Sequence, residues 1–83
     1  MYTVVLKKAA AKEFEQLDPR IQVRIDDVLH QLKTEPQLGK PLQGRLKGIR
    51  SIRVWPYRIM YTIEKKQLIV FVIKIAHRQG VYR

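Results

Sequence analysis

Three strand-like segments stand in succession in the stretch IRSIRVWPYRIMYTIEKKQLIVFVIKIA, residues 49–76. β-Branched and aromatic side chains dominate residues 49–55, 57–64 and 68–76, and such residues favour strands. One proline separates the first two segments and three polar residues separate the second from the third, so both connections are short enough for hairpins. The stretch therefore predicts three antiparallel strands. The nearly continuous apolar run of residues 68–76 predicts that the last strand is central.

A strand and two helices are predicted before this unit. Residues 2–6, YTVVL, are β-branched and apolar, as in a short strand. From Lys7 onward apolar residues recur at helical spacing. Asp18 followed by Pro19 is a start signal for a second helix, which Pro36 ends. This second helix carries an apolar stripe made of Ile21, Ile25, Val28, Leu29 and Leu32.

The complete chain, residues 1–83, is predicted to form a single domain. Its element order is β-α-α-β-β-β, an α+β fold with two antiparallel helices packed on one face of a small antiparallel sheet. Residues 36–48 contain two prolines and three glycines, and they are predicted to form a loop between the helices and the sheet. This loop is basic because it carries Lys40, Arg45 and Lys47.

Charge is the most unusual property of the composition. Seventeen Lys and Arg residues oppose seven Asp and Glu residues, which gives a net charge of +10 and a pI near 10.3. Such an excess repels itself in the folded state, so a polyanionic partner is expected. Nucleic acid is the leading candidate because phosphate contacts release counterions. An acidic protein fits the charge equally well, and the composition leaves both open.

The sequence predicts neither a metal site nor a cofactor site. It contains no cysteine, and its two histidines, His30 and His77, lie far apart without the spacing of metal ligands. It also lacks a Gly-rich phosphate loop. The absence of cysteine favours a reducing compartment. Charges begin too early for a signal peptide and no apolar run reaches membrane-spanning length, so we expect a cytoplasmic protein.

Side-chain alternation brings two arginines together on one face of the predicted sheet. If Trp55 and Pro56 form a two-residue connection, Arg53 lies directly opposite Arg58, on the face away from the helices. Like charges in that position destabilise a sheet by roughly 0.2–1 kcal/mol. An anion that binds between them offers a reason for the pair. The alternative is that each arginine extends independently into solvent.

The third strand extends this patch if residues 65–67 form a three-residue connection. Lys74 then lies opposite Arg58, and Arg78 falls on the same face. A slip of one residue would move Lys74 and Arg78 to the other face, because side chains alternate with a period of two. With this register, four cations from three strands form a predicted anion site.

Two aromatic residues near these cations are candidates for stacking. Trp55 can stack on a base or anchor the tip of the hairpin. Tyr82 offers a ring face and a hydroxyl, although packing is the simpler role for a lone tyrosine. His77 directly precedes Arg78 in the sequence, but alternation directs it to the opposite face of the sheet.

The segments LQGRLKGIRSIRVWPYRIMY, residues 42–61, and VIKIAHRQGVY, residues 72–82, resemble the RelE/ParE superfamily of bacterial and archaeal toxin components. For the RelE branch, this resemblance implies a ribosome-dependent mRNA endonuclease that inhibits translation. Such an mRNA interferase works without a metal, by attack of the ribose 2′-hydroxyl on the adjacent phosphate. The positions that match the family are Arg53, Arg58, Arg78 and Tyr82, and the resemblance implies catalytic roles for them.

The resemblance also implies partners. They are an acidic cognate antitoxin, which forms a hetero-oligomer with the toxin, and the mRNA and rRNA of the ribosomal A site; no membrane is implied. Two features depart from the RelE pattern: Ser51 stands between arginines where the branch often carries two lysines, and the chain ends one residue after Tyr82. They leave open a ParE-like inhibitor of DNA gyrase and an RNA-binding module without catalysis. The candidate RNA contacts are Lys40, Arg45, Lys47, Arg50, Trp55 and Lys74.

Overall fold

Five strands and two α-helices make up the part of the chain that the computed structural model describes, residues 1–77. The helices follow the first strand, and a short 3₁₀ turn at Gly44–Leu46 precedes the third strand. None of the helices within these residues has the length and apolar character needed to cross a bilayer. The elements are β1 (Thr3–Leu6), α1 (Lys8–Glu15), α2 (Pro19–Leu32), β2 (Lys40–Pro41), β3 (Arg50–Val54), β4 (Tyr57–Glu64) and β5 (Ile69–His77).

The strands form one sheet in the order β1-β5-β4-β3-β2, which confirms the α+β fold and places β5 between β1 and β4, beside the middle strand. Two details differ from the prediction. The sheet is mixed rather than purely antiparallel, because β1 runs parallel to β5. The predicted loop contains a fifth strand, since Lys40 and Pro41 pair with β3. No local sequence pattern indicates either pairing, because the two paired strands are far apart in the sequence or joined by a long loop.

The two helices begin and turn where the sequence predicts. The Asp18 carboxylate accepts a hydrogen bond from the Arg20 backbone N–H at 2.8 Å, which caps α2 and lowers the pKa of Asp18. Gln22 Nε2 donates to the Phe14 carbonyl at 2.7 Å, so the second helix is bound to the end of the first. His30 is exposed, as predicted.

The core lies between the helices and one face of the sheet, which we call the inner face. The apolar stripe of α2 packs here, as the 3.6-residue period predicts. The residues that are buried in this core are Ala10, Ile25, Leu29, Leu32, Val54, Ile59, Tyr61, Val70, Val72 and Ile75.

A second, smaller cluster lies on the outer face of the sheet, the face that carries Ser51, Arg53, Arg58 and Met60. Met60 is buried there together with Ala76. Three apolar side chains of residues 42–49, which we call the cover segment, pack on this pair, as does one residue of β5. These four are Leu42, Leu46, Ile49 and Ile73.

Tyr61 fixes the chain where it passes from α2 to β2. Its side chain is fully buried. The hydroxyl donates to the Pro36 carbonyl at 2.7 Å and accepts from the Gly39 N–H at 2.8 Å. A Cβ at Gly39 would lie 2.8 Å from the Tyr61 hydroxyl oxygen and from Ile52 Cγ1, so only glycine lets the loop approach this closely. The start of β2 is therefore determined by contacts with β4 and β3.

Replacing Tyr61 with phenylalanine is expected to lower the free energy of unfolding by about 1–3 kcal/mol, because the buried Gly39 N–H and the half-buried Pro36 carbonyl lose their partner. Urea denaturation of the wild type and the variant measures this difference. Tyr57→Phe is the matched control, since Tyr57 is only half-buried. An equal effect of the two substitutions would contradict the role of the Tyr61 hydroxyl.

Burial also raises the pKa of Tyr61 above its ordinary value of 10.0. The folded chain then holds this proton more tightly than the unfolded chain does. The resulting stability is fully present below pH 10.0 and is lost as pH rises through the raised pKa of the folded state. As the pH rises above 10.0, we expect the urea midpoint of the wild type to fall more steeply than that of Tyr61→Phe. Parallel pH profiles would disprove the linkage.

Candidate functional site

Two arginines face each other on the outer face, next to the tip of the β3–β4 hairpin. Arg53 on β3 and Arg58 on β4 are directly paired, as the two-residue connection predicts, and Trp55 and Pro56 form that connection. Arg53 is exposed and Arg58 is half-buried. Opposed like charges weaken a sheet. An anion that binds between the two guanidinium groups would offset this repulsion.

Lys74 lies on the same face but at a different position from the one predicted. The predicted register places Lys74 opposite Arg58. In the structure Lys74 pairs with Met60, and Arg58 pairs with Ala76. The prediction of a shared face is therefore right and the predicted partner is wrong.

Two shifts of one residue explain this outcome. The turn between β4 and β5 has four residues, Lys65–Leu68, instead of three, and Leu68 adopts a positive φ of 57°. A β-bulge then shifts the register between Met60 and Tyr61 and leaves Ile73 without a partner on β4. The first shift would turn Lys74 to the inner face, and the second returns it to the outer face.

The segment around β2 brings three more cations to the outer face. Lys40 pairs with Ser51, which lies in this face. Arg45 and Lys47 are exposed on the cover segment, whose apolar side chains hold it against the sheet. Ser51 is buried beneath this region, and its hydroxyl has no hydrogen-bond partner within residues 1–77. We use the name cationic outer face for Lys40, Arg45, Lys47, Arg53, Arg58 and Lys74.

Arg50, a predicted RNA contact, lies apart from the cationic outer face. It pairs with Tyr61, so it belongs to the inner face. Its Nη1 donates to the Gly39 carbonyl at 2.6 Å and to the Gln37 carbonyl at 3.3 Å. Arg50 and Arg53 are three residues apart in one strand, and alternation places them on opposite faces. The structure thus gives Arg50 a role in holding the loop.

The aromatic and histidine candidates are distributed around the tip of the β3–β4 hairpin. Trp55 is 52% exposed at this tip. His77 pairs with Tyr57, and the two rings meet edge to face with centroids 5.5 Å apart. His77 is thereby turned away from the outer face, as alternation predicts. Arg78 and Tyr82 lie outside the residues that the structure describes.

Sequence reasoning missed one further cation on this side of the sheet. Lys7 follows β1, and its Nζ lies 4.6 Å from the centroid of the Phe71 ring. Phe71 pairs with Thr62 on the outer face. The proximity depends on the parallel pairing of β1 with β5, for which the sequence has no local signal.

The geometry favours binding and stabilisation of a phosphate. Fixed guanidinium groups stabilise negative charge that develops on a reacting phosphoryl group, and they stay protonated at neutral pH. For the same reason arginine is a poor general base. A proton acceptor for a cleavage reaction has to come from another group.

Comparison with known proteins identifies the family. The family model described as ParE toxin of the type II toxin–antitoxin system parDE matches residues 4–82. Toxin RelG of Mycobacterium tuberculosis is 33% identical over 84 residues, which cover 99% of this chain and 97% of RelG. Toxin RelE of the same organism is 34% identical, with 99% of this chain and 87% of that protein covered.

Solved structures agree with these relatives. A chain in the crystal structure of the toxin–antitoxin complex RelBE2 from Mycobacterium tuberculosis superposes with a TM-score of 0.85 at 33% identity, covering 93% of this chain and 98% of that one. The isolated RelE toxin of E. coli gives a TM-score of 0.82 at 21% identity, with 93% and 84% covered, and this likeness shows the fold. The chain belongs to the RelE/ParE superfamily of toxins of type II toxin–antitoxin systems.

Proposed function

We propose that this toxin is a ribosome-dependent mRNA endonuclease of the RelE kind, which cleaves the codon in the ribosomal A site and so inhibits translation. The observation that carries the proposal is the Arg53–Arg58 pair, two directly opposed arginines in the cationic outer face. Relatives named RelG and RelE at 33% and 34% identity support the same branch of the family.

The proposed reaction needs no external water in its first step. The ribose 2′-hydroxyl attacks the adjacent phosphorus while its proton passes to a base, and the bond from phosphorus to the 5′-oxygen breaks. The products are a 2′,3′-cyclic phosphate and a 5′-hydroxyl, which takes up a proton. Arg53 and Arg58 stabilise the charge of the phosphorane, an electrostatic effect worth about 10²–10³-fold for each well-placed donor in comparable sites.

Arg78 and Tyr82 complete the proposed site. Arg78 stabilises the charge on the departing 5′-oxygen. Tyr82 stacks on the displaced base or accepts the proton of the 2′-hydroxyl. His77 and ribosomal groups are the other candidates for this base. General acid–base catalysis contributes typically about 10²–10⁴-fold, so positioning and charge stabilisation carry a large share of the proposed rate.

The remaining basic residues form the proposed path for the RNA strand. Lys40, Arg45, Lys47 and Lys74 lie with the arginine pair on one side of the molecule. Contacts of this kind go to phosphates and set the position of the strand rather than its sequence. Trp55 is exposed enough to stack on a base.

An acidic antitoxin is the proposed protein partner. Its negative charge would complement the cationic outer face, and covering this face would block RNA. Relatives have been solved as toxin–antitoxin complexes, among them RelBE2 of Mycobacterium tuberculosis and RelBE of E. coli.

A second candidate function is inhibition of DNA gyrase in the manner of ParE. It is favoured by the matching family model, which is described as the ParE toxin of parDE. The basic strand also reads IRSIRVW, with Ser51 between arginines, whereas the RelE branch often carries two lysines on this strand. In this case the cationic outer face would bind a protein or DNA rather than mRNA.

Mapping the 5′ ends of mRNA after brief expression of the toxin separates the two functions. We expect new 5′-hydroxyl ends inside translated codons, and none on messages that lack a start codon. Purified toxin with programmed ribosomes should reproduce the same cuts. Intact messages together with accumulating DNA breaks would refute the nuclease and support the gyrase inhibitor.

Arg78→Ala and Tyr82→Ala are expected to relieve toxicity and to lower cleavage on programmed ribosomes, because each removes a group from the proposed reaction. Circular dichroism and urea denaturation serve as the control for folding. Toxicity at the wild-type level in both folded variants would remove these residues from the site.

Arg53→Ala is expected to lower the cleavage rate by about 10²–10³-fold, the effect of losing one electrostatic donor. Its free energy of unfolding should not fall, since the substitution removes the repulsion with Arg58. Lys66→Ala is the matched control, because it removes one positive charge from the exposed β4–β5 turn. Equal rates for Lys66→Ala and Arg53→Ala would show that only net charge matters.

A further inference from the structure

Strand β5 is supported by β1 over only half of its length. β1 pairs with residues 69–72 of β5, and the Lys7 N–H then donates to the Val72 carbonyl at 2.9 Å. β5 continues to His77 without a strand on this side within residues 1–77. The half from Ile73 to His77 therefore has an open edge, and it begins at the β-bulge, where pairing with β4 is also interrupted.

Glu13 of α1 bonds to this open edge. Its Oε1 accepts a hydrogen bond from the Ile75 backbone N–H at 2.9 Å, across 62 positions in the sequence. The carboxylate is half-buried. A hydrogen bond to an ionised acceptor is roughly twice as strong as one between neutral groups. At this point a helix side chain takes the place of a neighbouring strand.

The way α1 packs on the sheet allows the Glu13 side chain to contact the backbone of β5. α1 packs on β5, and Ala10 is completely buried at the contact. Ala10 and Glu13 are three residues apart, so they lie on the same side of the helix. Because alanine is small, the helix axis approaches the strand closely enough for the Glu13 carboxylate to meet the backbone.

The second half of β5 determines the position of residues that belong to the proposed site. Lys74 lies in the cationic outer face, Ala76 pairs with Arg58, and Arg78 follows His77 directly in the sequence. Slippage or fraying beyond the bulge would change the face and position of Lys74 and Ala76. We propose that Glu13 is a positioning residue of this toxin, which holds the end of β5 in register so that the strand presents Lys74 to the RNA beside Arg58. This role rests on the proposed nuclease function.

Three variants separate the hydrogen bond from the charge. Glu13→Gln keeps an oxygen that accepts from the Ile75 N–H, and Glu13→Ala removes it. Both raise the net charge by one, so charge alone cannot distinguish them. Glu15→Ala gives the same change of charge from an exposed position on the same helix.

Amide hydrogen exchange is the first measurement. In Glu13→Ala, exchange at Ile75 and its neighbours in β5 should accelerate by about 10- to 100-fold, the factor that a hydrogen bond to a charged group provides. Glu13→Gln should lie between Glu13→Ala and the wild type, because its neutral oxygen accepts a weaker hydrogen bond. Glu15→Ala should match the wild type. Unchanged exchange in Glu13→Ala would overturn the proposal.

Single-turnover cleavage on programmed ribosomes is the second measurement. We expect a lower maximal rate in Glu13→Ala at unchanged half-saturating toxin concentration, with recovery in Glu13→Gln. If Glu13→Ala cleaves at the wild-type rate, Glu13 has only a structural role and the proposal is wrong. If Glu13→Gln is impaired as strongly as Glu13→Ala, the effect comes from the charge and not from the hydrogen bond. If the wild type itself does not cleave, the nuclease function fails and the positioning role falls with it, while the exchange data still show whether Glu13 holds the strand.

Discussion

The hydroxyl of Tyr61 is the contact on which the arrangement of this molecule depends most. It belongs to a fully buried side chain of the core, yet both of its hydrogen bonds go to the backbone of the loop that leads to β2. Arg50 bonds to the same loop from the neighbouring strand. These two side chains determine the path by which the chain leaves the helices and crosses to the other face of the sheet. The cover segment and its cations begin from that fixed point.

The sequence is sufficient to predict the parts of the site that depend on local geometry. A two-residue connection determines the register of a hairpin, so Trp55 and Pro56 are enough to place Arg53 opposite Arg58. The cap at Asp18 and the stripe of α2 are local in the same sense. Each of these features depends on residues that are close together in the sequence, and each agrees with the structure.

The rest depends on contacts between distant residues. The parallel pairing of β1 with β5 brings Lys7 to the outer face, and no pattern in residues 2–6 indicates it. The four-residue turn and the bulge change the partner of Lys74, because a β-bulge is a response to packing on both faces of a strand. Arg50 has the positive charge expected of an RNA contact, but it lies on the inner face and bonds to the loop before β2. Residue type alone cannot tell these roles apart.

The placement of helices and cations on opposite faces also orients the charge of the molecule. Six of the seven acidic residues lie between Glu13 and Glu35, in the two helices and in the turns that precede and follow α2. The cationic outer face contains none of them. The same helices and turns also carry Lys8, Lys12, Arg20, Arg24 and Lys33, so this side is nearly neutral while the outer face is strongly positive. Such an uneven distribution of charge creates a field that rotates a small protein during diffusion. A polyanion would therefore meet the arginine face first, before any specific contact forms, and added salt would slow this encounter far more than it would loosen the fold.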